Sequence, residues 1–126
     1  MILLDTHAIY WFFTEDEKLP ESIKKRIETE TEVCVSVASF WEMAIKSSIG
    51  KMKLPAPISV MMNECEKMNF RIVPITAQHL ERIKDLPKIH GDPFDRLLIC
   101  QVQEGNMEFV TRDENIPKYD VKTVWA

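Results

Sequence analysis

The sequence predicts an α/β domain in which a five-stranded parallel sheet lies between layers of helices. Three observations carry that expectation. Five short apolar runs recur along the chain, stretches with helical periodicity and capping signals separate them, and no linker, repeat or low-complexity tract divides the 126 residues. Strands that alternate with helices imply β-α-β crossovers, and such crossovers make parallel sheets covered on both faces. The length is that of one domain, spanning residues 1–126.

In chain order, the first strand is Ile2 to Leu4, and a helix from Thr6 to Phe13 follows it. The segment Thr14 to Glu32 carries seven acids and four bases, a formal −3, and contains a solvated helix from Glu21 to Thr29 opened by Pro20. A strand from Val33 to Val37 leads into a helix from Val37 to Ile49, which Gly50 stops. Pro55 and Pro57 precede a helix from Ile58 to Asn69, and a strand from Arg71 to Ile75 comes next. Thr76 opens a helix from Ala77 to Leu86. Asp92 caps the last helix, Pro93 to Glu104, which Gly105 ends, before strands Glu108 to Thr111 and Val121 to Trp125.

Hydrophobic residues make up 45% of the chain and charged residues 29%, which suits a folded core and excludes a disordered segment. The odd set Cys34, Cys65 and Cys100 contains no C-x-x-C pair and reads as free, packed thiols in a reducing compartment. The apolar N-terminus lacks a basic flank and is interrupted by Asp5, so it is no signal peptide. No apolar run reaches the ~18 residues of a membrane span, and a cytoplasmic protein is expected. The aromatic cluster Tyr10, Trp11, Phe12 and Phe13 reads as core or dimer surface. His7, His79 and His90 share no metal-ligand spacing and take surface or packing roles.

In open α/β sheets, ligands bind beyond the carboxyl ends of the strands. Asp5 follows the first strand, Glu42 lies on the helix after the second, and Asp113 follows the fourth. Asp95 sits in the first turn of the Pro93 helix. Each acid also has a plain structural role open to it. Asp5 or Thr6 can cap the first helix, Asp95 can be a capping-box acid after Asp92, and Asp113 can close a turn. Glu42 falls on a stripe with Ala38, Ile45 and Ile49, where a buried carboxylate needs a cation or a shifted pKa, and Lys46 offers an i,i+4 pair. Several carboxylates gathered at one sheet edge repel one another unless hard divalent cations neutralise them. Oxygen ligands without a Cys/His pattern favour Mg²⁺ or Mn²⁺ over zinc, and such sites hydrolyse phosphodiesters.

The opening LLDTHAIYWF, the stretch VSVASFWEMAIKSSIGKMKLP, the run HGDPFDRLLICQ and the later FVTRD, in this order and spacing, resemble the PIN domain, and specifically the VapC-type toxin ribonucleases of type II toxin-antitoxin pairs. The likeness covers essentially the whole chain and rests on the combination of blocks. It implies a three-layer α/β/α fold and a Mg²⁺- or Mn²⁺-dependent endoribonuclease. It also implies a homodimer that cuts RNA and is held inactive by a cognate antitoxin protein. Carried over residue by residue, the first acid falls on Asp5, the helix glutamate on Glu42, the third acid on Asp95 and the fourth on Asp113. The hydroxyl beside the fourth acid falls on Thr111, and Asp92 stays a cap. Cleavage of this kind leaves 5′-phosphate and 3′-hydroxyl ends. Lys46, Lys51, Lys53, Arg96 and Arg112 are the nearest candidates for RNA phosphates. Arg96 and Arg112 can instead pair with the adjoining acids, and the lysines suit a helix C-terminus.

Other classes fit less well. A haloacid-dehalogenase-type phosphatase needs a second Asp where this chain has His7. A receiver-type signalling domain matches in size and acidity, but VSVASFWE offers no phosphoacceptor Asp after the central strand. A catalytically inactive PIN-like interaction module is the remaining alternative. Sixteen Lys and Arg against twenty Asp and Glu give a net charge of −4, which alone argues against a nucleic-acid partner. With four acids as metal ligands, one Mg²⁺ brings the formal total to −2 and two bring it to 0, so the acidity marks a metal site as well as a solvated helix.

Overall fold

The run Ile2–Leu4 forms β1, and all of it is buried because the sheet closes on both its edges. In the computed structural model, which describes residues 1–126, β1 pairs with β2 (Val33–Ser36) on one side and β4 (Glu108–Val110) on the other. β3 (Arg71–Val73) lies outside β2, and β5 (Lys122–Val124) outside β4. Every pairing is parallel, giving the order β3-β2-β1-β4-β5. The chain winds outward from β1 to β3, then crosses back to β4, so the strand order reverses between β1 and β4. That reversal opens a crevice at the carboxyl ends of the strands. A receiver-type domain, whose order is 2-1-3-4-5, is thereby excluded.

Helices α1 (Thr6–Thr14) and α2 (Glu21–Thr29) link β1 to β2. α3 (Val37–Ser48) and α4 (Ile58–Lys67) link β2 to β3, and α5 (Ala77–Asp85) and α6 (Pro93–Gly105) link β3 to β4. The last crossover, residues 111–121, has no α-helix and contains only the 3₁₀ turn Ile116–Lys118. Side-chain alternation along the strands builds two cores. Ile2, Leu4, Val33, Val35 and Val110 face a cluster of 16 buried residues with Ile9, Trp11, Ile23, Ile27 and Met61. Leu3, Cys34 and Phe109 face a second cluster of 14 that includes Leu98, Ile99, Ile116 and Tyr119. Tyr10, Phe12 and Phe13 pack at the margin of the first, which makes the aromatic run core, as its composition implied. All three cysteines are free and buried. No helix is long and apolar enough to cross a membrane.

The expected elements are present, with ends moved for identifiable reasons. β2 stops at Ser36 because the Ser36 hydroxyl accepts from Ala38 N at 3.1 Å and starts α3. β3 stops at Val73, before Pro74, which has no N–H for a ladder. Gly50 takes φ +74° after α3, as a stop glycine does. Gly105, by contrast, remains helical, and Asn106 supplies the left-handed residue at φ 51°. One expectation is overturned. Ile45 and Ile49 do not continue the buried stripe of Ala38 and Glu42 but are 39% and 59% exposed, beside Trp41 at 56%. The covered face of α3 is Ala38, Ser39, Phe40, Glu42 and Met43.

Candidate metal and phosphodiester site

Asp5 is the hinge of the crevice. It follows β1 directly, its N–H donates to Val110 O at 2.9 Å across the β1–β4 boundary, and it caps α1 through Oδ1, which accepts from Thr6 N at 2.7 Å. Oδ2 accepts from the Thr111 hydroxyl at 2.7 Å. The Thr111 oxygen in turn accepts from Asp113 N at 3.1 Å, and Asp113 Oδ1 accepts from Asn115 N at 2.8 Å. Thr111 therefore ties the acid after β1 to the acid after β4. On the other side, the Thr6 hydroxyl donates to Ser39 Oγ at 3.0 Å and pins α1 to α3 one turn before Glu42.

Glu42 is buried and pairs with Lys46 Nζ at 2.9 Å through Oε2, while its buried Oε1 has no partner. Asp95 enters from the first turn of α6, where Asp92 caps the helix by accepting from Asp95 N at 2.9 Å. The predicted cap role is filled at Asp5, which also lines the crevice, Asp92 holds the cap as expected, and Lys46 makes the expected i,i+4 pair. Asp95 forms no reciprocal capping box; its Oδ2 lies 3.3 Å from His90 Nε2. His90, Asp95 and Asp113 can bring one ligand atom each within 4.8 Å of one another.

Together Asp5, Glu42, Asp95 and Asp113 line a pocket of about 320 Å³ that also takes in Asp92, Lys46 and Arg112. Five carboxylates face two cations. Burial pushes Asp5 up to about 6 despite the Thr111 and Thr6 hydrogen bonds, with Glu42 and Asp113 adding to the rise. Burial, then repulsion by Asp5, Asp92, Asp113 and Glu42, pushes Asp95 up to about 8. The unpartnered Glu42 oxygen and the repelling carboxylates that make up most of the charged lining fit a hard divalent cation.

The model of the PIN domain family matches residues 2–122. The chain belongs to the PIN domain family. This PIN domain is 28% identical over 116 residues to Ribonuclease VapC22 of Mycobacterium tuberculosis, covering 91% of this chain and 88% of that protein. Its fold matches VapBC2 from Rickettsia felis bound to a DNA fragment from its promoter, at TM-score 0.74 and 12% identity over 100% of both chains. It also matches DNA-bound VapBC from Salmonella typhimurium, at TM-score 0.70 and 15% identity over 98% of this chain and 96% of that one.

Of the basic residues singled out in the sequence, Lys46 and Arg112 line the pocket of this PIN domain and the other three do not. Arg96 turns away from it and donates to Pro87 O at 2.8 Å, Leu86 O at 3.1 Å and the Tyr119 hydroxyl at 3.1 Å. Lys51 and Lys53 lie past the end of α3, where Lys53 O accepts from the Tyr10 hydroxyl at 2.7 Å. The Arg112 guanidinium sits 4.5 Å over the Trp11 ring rather than pairing with Asp113. His79 has the packing role expected of it, closing a capping box with Thr76. His90 packs edge-on against Tyr119, with ring centroids 5.4 Å apart, and in addition reaches Asp95, while His7, Trp11 and Trp125 line the pocket. His7 and Trp11 lie four apart on one face of α1 just after Asp5, with rings 5.4 Å apart, a spacing that could have placed them beside it; Trp125 comes in from beyond the last strand and carries no local signal.

Proposed function

We propose that this PIN domain is a divalent-metal-dependent endoribonuclease, the toxin of a toxin-antitoxin pair. The carrying observation is the unpartnered, buried Glu42 Oε1 among acids whose pKa values are raised, at the switch point of the sheet. The likeness to a ribonuclease, and to assemblies of a toxin with its antitoxin, supports the same reading. Asp5 and Asp95 would hold Mg²⁺ or Mn²⁺, with Glu42 and Asp113 completing the set. When bound, the ion supplies an activated water and offsets charge gathering on the phosphate. Thr111 keeps Asp5 aimed, and Lys46 and Arg112 meet the RNA backbone. The antitoxin covers the acidic crevice. Three unpaired buried cysteines suit a cytoplasmic protein.

Purified protein should cut RNA with Mg²⁺ or Mn²⁺, lose activity in EDTA and regain it on adding metal. Asp5→Asn and Asp95→Asn should abolish cleavage and toxicity; full activity in either would remove the assignment. Products ending in 2′,3′-cyclic phosphate would point to metal-free chemistry and sink the reading. We propose a homodimer as the working state, since Trp41 and Ile45 on α3 and Ile49 at its C-cap present an exposed apolar stripe. Light scattering should give twice the chain mass, and Ile45→Glu should give the monomer.

A further inference from the structure

We propose that His90 is a positioning residue for Asp95, donating from Nε2–H in a tautomer that Tyr119 imposes. The inference rests on the metal-site reading above. Tyr119 is buried, and three groups meet its hydroxyl oxygen: His90 N at 3.1 Å, Arg96 Nη1 at 3.1 Å and His90 Nδ1 at 2.7 Å. The backbone amide and the guanidinium can only donate, and together they fill both lone pairs of the phenol oxygen. Its one proton is left to point at Nδ1. That nitrogen therefore accepts, and the neutral ring carries its hydrogen on Nε2, which faces Asp95 Oδ2 at 3.3 Å.

The same accounting decides between two roles for His90. His90, Asp95 and Asp113 approach closely enough to share a cation. For Nε2 to bind metal it must present a lone pair, which moves the ring hydrogen to Nδ1 and aims it at an oxygen with no lone pair to receive it. His90 is thus a donor to a metal ligand, not a ligand itself. Its support is rigid, because Arg96 is fixed by the Leu86 and Pro87 carbonyls where α5 gives way to α6. Held through Oδ2 by His90, the Asp95 carboxylate would be kept in one orientation toward an ion in the pocket. Partners of this kind typically change metal affinity ~10- to 100-fold when removed.

Long-range ¹H–¹⁵N correlation on the full chain should show His90 as the Nε2–H tautomer, with and without a diamagnetic Mg²⁺ load. Tyr119→Phe should release the tautomer. Titration with Mn²⁺ should give about tenfold weaker binding for His90→Ala. His90→Gln, whose amide nitrogen replaces Nε2–H, should recover most of it, which separates a lost donor from a lost fold. A wild-type Nδ1–H tautomer, a ¹⁴N hyperfine coupling from His90 to bound Mn²⁺, or wild-type Mn²⁺ affinity in His90→Ala each overturn the proposal. Wild-type protein that binds Mn²⁺ and shows these effects but cuts no RNA would leave His90's role standing and remove the ribonuclease reading.

Discussion

Asp95→Asn should make the metal-free protein more stable while destroying the site. In the folded chain Asp95 titrates at about 8 against an ordinary 3.8, so the fold holds it protonated where the unfolded chain does not. A raised carboxyl contributes stability that is complete below its ordinary pKa and is lost as pH rises through the folded value. At neutral pH, about 3 units of that difference are in play, at about 1.4 kcal/mol each, which places the cost on the order of 4 kcal/mol. Burial is the largest cause of that rise, and repulsion by Asp5, Asp92, Asp113 and Glu42 adds to it, so removing the charge relieves both. An Asn oxygen still accepts from His90, so the hydrogen bond survives. In EDTA at pH 7, the variant should melt higher by roughly 12–16 °C, at about 3–4 °C per kcal/mol for a domain of this size. Wild-type protein in EDTA should lose stability from pH 5 to pH 9, with steps near the Asp5 and Asp95 values, and saturating Mn²⁺ should flatten the curve. An Asp95→Asn variant that melts at or below wild type in EDTA, with a pH-independent wild-type Tm, refutes burial reinforced by repulsion as what holds Asp95 protonated.

Thr111→Val should weaken Mn²⁺ binding by ~10-fold by calorimetry, because Asp5 loses the hydroxyl that aims it, and Thr111→Ser should keep near wild-type affinity. Lys46→Met should tighten Mn²⁺ binding, since a competing cation leaves, yet cost about 2 kcal/mol or more in chelator by stranding Glu42; denaturant melts with and without metal separate the two. Arg112→Ala should change stability by less than about 1 kcal/mol, as an exposed cation-π contact. Binding of RNA to an inactive Asp5→Asn background should weaken and its log–log salt slope should drop by about 1. Phe109→Ala, in the fully buried centre of β4, should cost about 3–5 kcal/mol by urea unfolding.

The positions of Asp5, Asp95 and Asp113 were legible because each follows a strand or opens a helix, and that of Glu42 because it lies about a turn and a half into the helix after β2; period and caps locate those boundaries to within a residue or two. Asp5 caps α1 through one oxygen and meets Thr111 in the pocket through the other, so the capping role does not exclude a place in the crevice. Ile45 and Ile49 show the limit of periodicity. It tells which residues share a face of α3, while burial depends on how far the neighbouring elements extend along that face. Arg96 was misplaced because adjacency to Asp95 in sequence says nothing of direction, and on a helix consecutive residues point about 100° apart. His90 meets Tyr119 across 29 residues, and no local pattern encodes a contact that the final crossover creates.

That all the strands are parallel gives the two chain ends different surroundings. The sheet is entered at Ile2, at the edge remote from the acids, where the Met1 amine rests near Glu30 at 3.5 Å. It is left at Val124, after which Trp125 forms part of the pocket wall. A peptide or purification tag attached before Met1 starts on the far side of the molecule from the chemistry. One attached after Ala126 begins beside the pocket that Trp125 lines, where it can obstruct the opening. Fusions at the two ends are therefore not equivalent reagents, and tethering a probe to the C-terminus turns the last strand into a way of delivering it to the site.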